Sequence, residues 1–231
     1  MGTLYIVSTP IGNLEDLSFR ALRVLKEVDL ILCEDSRITK KLLNHYQIKT
    51  PTLSYHQHSK LQKTEYIISL LKKGKRLALV SDAGTPGISD PGNLLVNEVI
   101  KKLGDEVKIT SIPGPSAVTT AASISGFPMD KFVFMGFPPT KRKRKKFFEE
   151  VLNSKYPVIF YESPYRIIRT LNELKEAYNL CHGINSRLLN VVVFRELTKK
   201  FETVYRGKIE KVIKEIEKNK IKGEFVIVIS P

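Results

Sequence analysis

The sequence predicts an α/β protein in two parts: a parallel sheet flanked by helices, then a second α/β domain built on a mixed sheet. Three observations lead there. Up to about residue 115, short apolar runs alternate with helical-period segments five times over, the pattern of a parallel sheet covered on both faces. Those runs end in turn formers or in polar residues, where open α/β sheets place ligand contacts. Beyond Phe127, apolar runs follow one another without intervening helices, as in sheets with antiparallel neighbours. The 231 residues suffice for a substantial core, and the expected division is 1–115 and 116–231.

Leu4-Tyr5-Ile6-Val7 is the first strand and opens into Ser-Thr-Pro-Ile-Gly-Asn. Ser18 suits the N-cap of a helix carrying Leu22, Leu25 and Val28, and Leu30 to Cys33 follows as a buried strand. Glu34-Asp35-Ser36-Arg37 comes next, ahead of a basic helix to about Tyr46. These four residues read either as functional groups at a strand end or as a cap with Ser36 at the helix start and acids near the positive helix end. Thr52 to Tyr55 is a weak strand followed by His56-Gln57-His58. Two histidines at this spacing lack Cys or carboxylate partners for a metal site, so hydrogen bonding or proton acceptance suits them better.

A helix over about 60–73 leads to strand Leu77–Val80 and then to Ser81-Asp82-Ala83-Gly84-Thr85-Pro86-Gly87-Ile88-Ser89-Asp90-Pro91-Gly92. This connection is longer than βα loops usually are. Its glycines permit close backbone approach, its prolines stiffen it, and it matches neither the Walker pattern nor the spaced-glycine dinucleotide pattern. The next helix carries Leu94, Leu95, Val99, Ile100 and Leu103, and strand Val107–Ile112 ends in Pro113-Gly114-Pro115-Ser116-Ala117. The small residues Ala121, Ala122 and Ser123 allow close approach, to a neighbouring element or to a ligand.

In the second half, Phe132 to Pro139 leads into the cations Lys141, Arg142, Lys143, Arg144, Lys145 and Lys146. Such a block is either a solvated face or a phosphate contact that carries no sequence information. Strands are expected at Val158–Glu162, at Val191 to Glu196, at an edge position over Thr203–Arg206, and at Phe225–Ile229; Ser163-Pro164 reads as N-cap and N1 of a helix, and a Lys/Glu/Ile helix spans about 208–219.

The formal net charge of +14 and pI near 9.7 favour a polyanionic partner, nucleic acid above all, although a lysine-rich proteome yields the same excess. Cys33 and Cys181 are far apart without metal-type spacing, which fits a reducing compartment. No signal peptide or bilayer-length apolar run is evident, so a cytoplasmic protein with no membrane and no metal is expected.

The motifs Ser-Thr-Pro-Ile-Gly-Asn, Glu-Asp-Ser-Arg, the Ser81–Gly92 stretch, Pro-Gly-Pro-Ser-Ala, Phe-Tyr-Glu-Ser-Pro and Arg-Glu-Leu-Thr-Lys occur here in order. With them the chain resembles, from Leu4 to Ile229, the ribosomal RNA small subunit methyltransferase I family of the tetrapyrrole methylase superfamily. The resemblance implies a two-domain tetrapyrrole methylase-like fold that holds S-adenosylmethionine in the cleft between domains. It implies 2′-O-methylation of a cytidine in the decoding region of 16S rRNA, with the small ribosomal subunit as partner and a homodimer as the expected state. Family members often continue with a small helical C-terminal segment beyond the point matching Pro231. Carried over, the cofactor contacts are Pro10, then Asp82, Ala83, Gly84 and Ile88, then Ser116 and Ala117, then Tyr161, with Arg195 and Glu224.

Methyl transfer from a sulfonium is an in-line displacement, and alignment alone supplies on the order of 7–11 kcal/mol. A ribose hydroxyl is a poor nucleophile, so a base worth about 10²- to 10⁴-fold is expected. Glu162, His56, His58 and Asp35 are candidates, with Arg37 on a phosphate and the run Lys141–Lys146 on RNA. Two other readings stand beside this one: methylation of a tetrapyrrole or other small molecule, and a non-catalytic RNA-binding or ribosome assembly factor on the same fold.

Overall fold

The structure, a computed structural model, describes residues 1–55, 61–90, 92–182 and 189–230, and its chain divides into the units Met1–Ser116 and Ala117–Pro231. His56 and His58 lie outside the described residues, as does Pro91.

In the first unit the strands are β1 (Gly2–Val7), β2 (Leu30–Cys33), β3 (Thr52–Ser54), β4 (Arg76–Val80) and β5 (Val107–Ile112), and the helices are α1 (Phe19–Glu27), α2 (Ser36–His45), α3 (Leu61–Lys72) and α4 (Gly92–Leu103). The five strands form one sheet in the order β3-β2-β4-β1-β5, every pair parallel. Alternate residues serve opposite faces: Val7, Ala78 and Val80 pack under α1 and α2, whereas Leu4, Leu77 and Leu79 pack under α3 and α4. Central neighbours β1 and β4 therefore send their following helices, α1 and α4, to opposite faces, which makes the gap between their carboxyl ends a topological switch point. On α4 the buried stripe is Leu95, Val99 and Leu103, while Leu94 and Ile100 stay exposed. Ser18 accepts from the Ala21 amide and caps α1. The cap of α2 is Asp35 and not Ser36, which is the first helical residue.

In the second unit α5 (Ala117–Ser125) precedes β6 (Val133–Phe134), α6 (Arg144–Leu152), β7 (Val158–Glu162), α7 (Ile167–His182), β8 (Asn190–Arg195), β9 (Thr203–Lys208), α8 (Ile209–Glu217) and β10 (Phe225–Ile229). The sheet order is β6-β7-β10-β8-β9; β6 and β7 are parallel and the other pairs antiparallel, with β9 at the expected edge. Helices α6, α7 and α8 bury one face over Val158, Phe160, Val193 and Ile227. Helix α5 lies across β10 and β7, and its Ala121 is 0% exposed. The buried Ala121 and Ala122 thus suit helix-on-sheet packing, whereas Ser123 is exposed and donates to the Thr120 carbonyl. Arg206 of β9 donates to the carbonyls of Ser125 and Ile124 at the carboxyl end of α5, where a cation is favoured. Ser163 and Pro164 form a turn ahead of α7 and do not open the helix directly, since the Ser163 hydroxyl is taken by Arg166 Nε. Among the described residues no helix is long and apolar enough to cross a membrane.

Replacing Ala121 by Leu should overpack the α5–sheet contact and cost about 1–3 kcal/mol. A lower denaturant midpoint at constant m would register this, and an unchanged midpoint would show spare room beneath α5.

Candidate active site

Loops at the carboxyl ends of β1, β4 and β5 are stitched to one another. Thr9 and Gly84 exchange both backbone hydrogen bonds, at 2.9 and 3.1 Å. The hydroxyls of Ser8 and Thr85 lie 2.8 Å apart, and Thr85 Oγ1 donates to the Pro115 carbonyl at 3.2 Å. Gly84 holds φ +77°, a conformation costly for residues with a Cβ, and a Cβ there would come within 3.3 Å of Ile11. Further along the loop, Asp90 Oδ1 accepts from the amides of Gly87 and Gly92, so the carboxylate closes the turn that starts α4. Pro10 and Gly84 are buried in this layer, whereas Ala83 and Ile88 are exposed and Asp82 and Ser116 are half-buried.

Next to it, at the carboxyl end of β2, the carboxylate of Asp82 accepts from the Asp35 amide at 3.0 Å. Burial pushes the Asp82 carboxyl above its ordinary value and the charges of Asp35 and Asp90 add to this, while the Asp35 amide opposes it. Glu34 is also raised, by burial first and then by Asp82, Asp90 and Asp35. Asp35 behaves differently. Hydrogen bonds from the side chain and backbone of Arg37 hold its pKa down to about 2. Asp35 and Arg37 thus satisfy each other at the start of α2, which leaves Asp35 a weak base at neutral pH. Glu34, Asp35, Asp82 and Asp90 bring four carboxylates to this strand-end region, where Arg37 pairs with Asp35 and Lys63 donates to the Ser54 carbonyl at 2.8 Å. No group of three or more His, Cys, Asp or Glu that could hold a metal occurs among the described residues.

In the second unit Tyr161 and Glu162 are consecutive strand residues and point to opposite faces of the sheet. Tyr161 lies edge-on to Phe134 and Phe137, at centroid distances of 5.0 and 5.4 Å. Burial, and then the charge of Glu224, push its phenol up to about 12, and the Val118 amide bonds to it. Glu162 instead continues the row of Val158 and Phe160 beneath the helices and is 1% exposed. Its Oε1 accepts from the Ser163 amide at 2.7 Å and pairs with Arg166 at 2.8 Å, while Oε2 accepts from Thr170 at 2.6 Å. These bonds occupy both oxygens, so the geometry makes Glu162 an anchor, in contrast to the proton acceptor expected of a carboxylate at a strand end.

Arg144 belongs to the same network and departs from the expectation for the cation run. It is 5% exposed, donates to Thr170 and to the Pro139 carbonyl, each at 2.8 Å, and pairs with Glu173 at 2.6 Å. Burial alone would raise Glu173, but hydrogen bonds from Arg144 and Arg169 hold it below its ordinary value. Lys141, Arg142, Lys143, Lys145 and Lys146 are exposed. A run of like charges hides such a member from sequence reasoning; the only sign of it is the α6 periodicity that places Arg144 with Phe148 and Val151. Arg195 donates through Nε to the Lys222 carbonyl at 2.8 Å, and Glu224 pairs with Lys199 at 2.9 Å.

Truncating Glu162 to Ala strands Arg166 and Thr170, and should cost about 3–5 kcal/mol in denaturant unfolding, as loss of one partner of a buried pair does. Retained stability would remove the anchor role. For Asp35, whose folded pKa lies below the unfolded value of about 3.9, the charge stabilises above that value and the effect disappears as pH falls toward about 2. The stability gap between the parent and Asp35→Asn should hence be constant above pH ~5 and close between about pH 4 and 2.

The model of the family described as Tetrapyrrole (Corrin/Porphyrin) Methylases matches residues 3–213. A protein of Thermotoga maritima named ribosomal RNA small subunit methyltransferase I is 46% identical over 230 residues, spanning 100% of this chain and 99% of that relative. One of the same name from Halalkalibacterium halodurans is 45% identical over 99% of this chain and 75% of its own length. The crystal structure of uroporphyrin-III-C-methyltransferase from Thermus thermophilus superposes with a TM-score of 0.63 at 18% identity, covering 99% of this chain and 94% of that one, and so shares the fold. With motifs, sheet topology and full-length similarity in agreement, the chain belongs to the tetrapyrrole methylase family and, within it, to the ribosomal RNA small subunit methyltransferase I branch.

Proposed function

We infer that this protein transfers a methyl group from S-adenosylmethionine to the 2′-hydroxyl of a cytidine ribose in small-subunit (16S) rRNA. The observation that carries this is the full-length similarity to proteins named ribosomal RNA small subunit methyltransferase I. The strand-end loops suit the donor chemically. S-adenosylmethionine has no phosphate, and the Ser81–Gly92 loop has neither a cation nor a phosphate-cradling pattern. It carries a sulfonium and an ammonium, and the Glu34, Asp35, Asp82 and Asp90 carboxylates give this end of the sheet a negative potential.

Bound there, the cofactor supplies an electrophilic methyl. In this reading Pro10, Asp82, Ala83, Gly84, Ile88 and Ser116 of the first unit contact it, as do Ala117, Tyr161, Arg195 and Glu224 of the second. The stitched loops keep the first group fixed before binding, which is how alignment lowers the barrier. The 2′-hydroxyl proton goes to His56 or His58, whose ordinary pKa suits a base near neutrality, in preference to the saturated Glu162 and the weakly basic Asp35. Arg37, exposed and close to the donor loop, is the proposed phosphate contact there.

The exposed cations Lys141, Arg142, Lys143, Lys145 and Lys146 gather at the amino end of α6, with no acid in its first turn. Cations are disfavoured at that end of a helix, and an RNA phosphate relieves the repulsion. Action on the assembled subunit, a homodimer and a cytoplasmic setting complete the proposal and rest on the resemblance alone.

Labelled S-adenosylmethionine incubated with small ribosomal subunits should label rRNA and leave a corrin precursor unlabelled; the reverse result would refute the assignment. Replacing Asp82 by Arg should weaken cofactor binding in calorimetry by at least tenfold, and unchanged affinity would move the donor elsewhere. Changing Lys141, Arg142, Lys145 and Lys146 to Ser should flatten the salt dependence of RNA binding by up to about 0.9 per lost duplex contact, or about 0.7 per single-strand contact.

A further inference from the structure

The turn between β8 and β9 is built more expensively than a connection requires. Glu196 and Thr198, neither of them glycine, hold φ of 55° and 65°, and backbone of this kind persists where surrounding contacts over-determine it. Those contacts are present. Lys199 pairs with both Glu196 and Glu224 at 2.9 Å. Glu196 also accepts from the Glu224 amide at 2.9 Å, and Glu202 accepts from the Thr198 amide. Burial alone would pull the Lys199 ammonium down, but the two carboxylates hold it above its ordinary value. The Glu196 side chain lies so close over Gly223 that a Cβ there would sit 2.4 Å from it.

This framework carries an aromatic ring into solvent at its tip. Phe201 is 68% exposed, with the Lys200 ammonium 5.8 Å from its centroid. Arg195 binds the Lys222 carbonyl and so ties on the segment 218–222, whose Lys218, Lys220 and Lys222 are exposed. Glu196 and Glu224 share Lys199, Glu202 beside the ring accepts from the Thr198 amide, and Lys200 is the cation seen over the ring. An exposed aromatic on a braced turn with a lysine beside it fits an unpaired nucleobase and an adjoining phosphate, since base–aromatic stacking needs only a π-face and a cation can meet the backbone. An apolar protein partner covering the ring would leave Lys200 desolvated beside it.

We propose that the turn 196–202 is a nucleobase platform on the RNA-binding surface, in which Phe201 stacks on an unpaired base of the substrate and Lys200 meets an adjoining phosphate. The proposal rests on the rRNA reading above and assigns it a second contact, separate from the cation run of α6.

The test measures binding to small ribosomal subunits across a salt series for Phe201→Ala, Phe201→Tyr, Lys200→Ser and the four-serine variant of the α6 run, with cofactor calorimetry as a check on folding. Phe201→Ala should weaken binding about tenfold, within the range of one lost stack, at unchanged salt slope. Phe201→Tyr should bind as the parent does, and Lys200→Ser should flatten the slope by about 0.7. Parental binding by Phe201→Ala, while the four-serine variant binds weakly, overturns the platform and leaves the rRNA reading intact. A changed sedimentation coefficient for Phe201→Ala overturns it in favour of a contact between two copies of the chain. Parental binding by every variant overturns the platform as well, and failure of the parent itself to bind the subunits overturns the rRNA reading with it.

Discussion

The antiparallel exchange between Thr9 and Gly84 is the contact on which the first unit's site depends. Parallel strands cannot reach one another beyond their ends, and loops leaving a switch point diverge by construction. Two backbone hydrogen bonds across that divergence, with the Ser8–Thr85 and Thr85–Pro115 contacts beside them, turn separate connections into one surface. The arrangement requires a residue at position 84 that accepts positive φ and comes close to Ile11. It also explains why a long loop between β4 and α4 is compatible with a rigid site: its length is spent on internal bonds, with Asp90 closing the far end.

In the second unit a buried carboxylate plays the corresponding part. Glu162 gathers Ser163, Arg166 and Thr170, and through Thr170 the network reaches Arg144 and Glu173. Arg144 holds the carbonyl of Pro139, so the chain entering the cation run is fixed to the same centre that terminates β7. The aromatic contacts of Tyr161 with Phe134 and Phe137 occupy the other face of the same strand. One strand end therefore supports two surfaces, and the alternation of side chains keeps them apart.

The fold was largely legible because its signals are local. Apolar runs of period two and helical segments between them located the first sheet, and Ser18 announced the start of α1 through a cap that the structure contains. Side-chain pairing was not legible, whether between near or distant positions. Nothing near Glu162 in sequence says that Thr170 and Arg166 will saturate it, and nothing in six consecutive cations says that the fourth turns inward. The Asp35–Asp82 contact joins positions 47 residues apart; strand-end position marked each residue separately, and their bond to one another was not readable. The strained turn at Glu196 and Thr198 was invisible because neither residue type advertises positive φ.

The cations crowded at the amino end of α6 have one more consequence. A helix whose first turn carries like charge against its own dipole is locally frustrated: Glu173 meets Arg144 and Glu149 lies 3.9 Å from Lys145, and an external anion relieves the rest. Small anions from solution can occupy this end, and a polyanion would displace several at once. The entropy of that release, and not any contact with a base, then sets how this end of the molecule responds to its ionic surroundings.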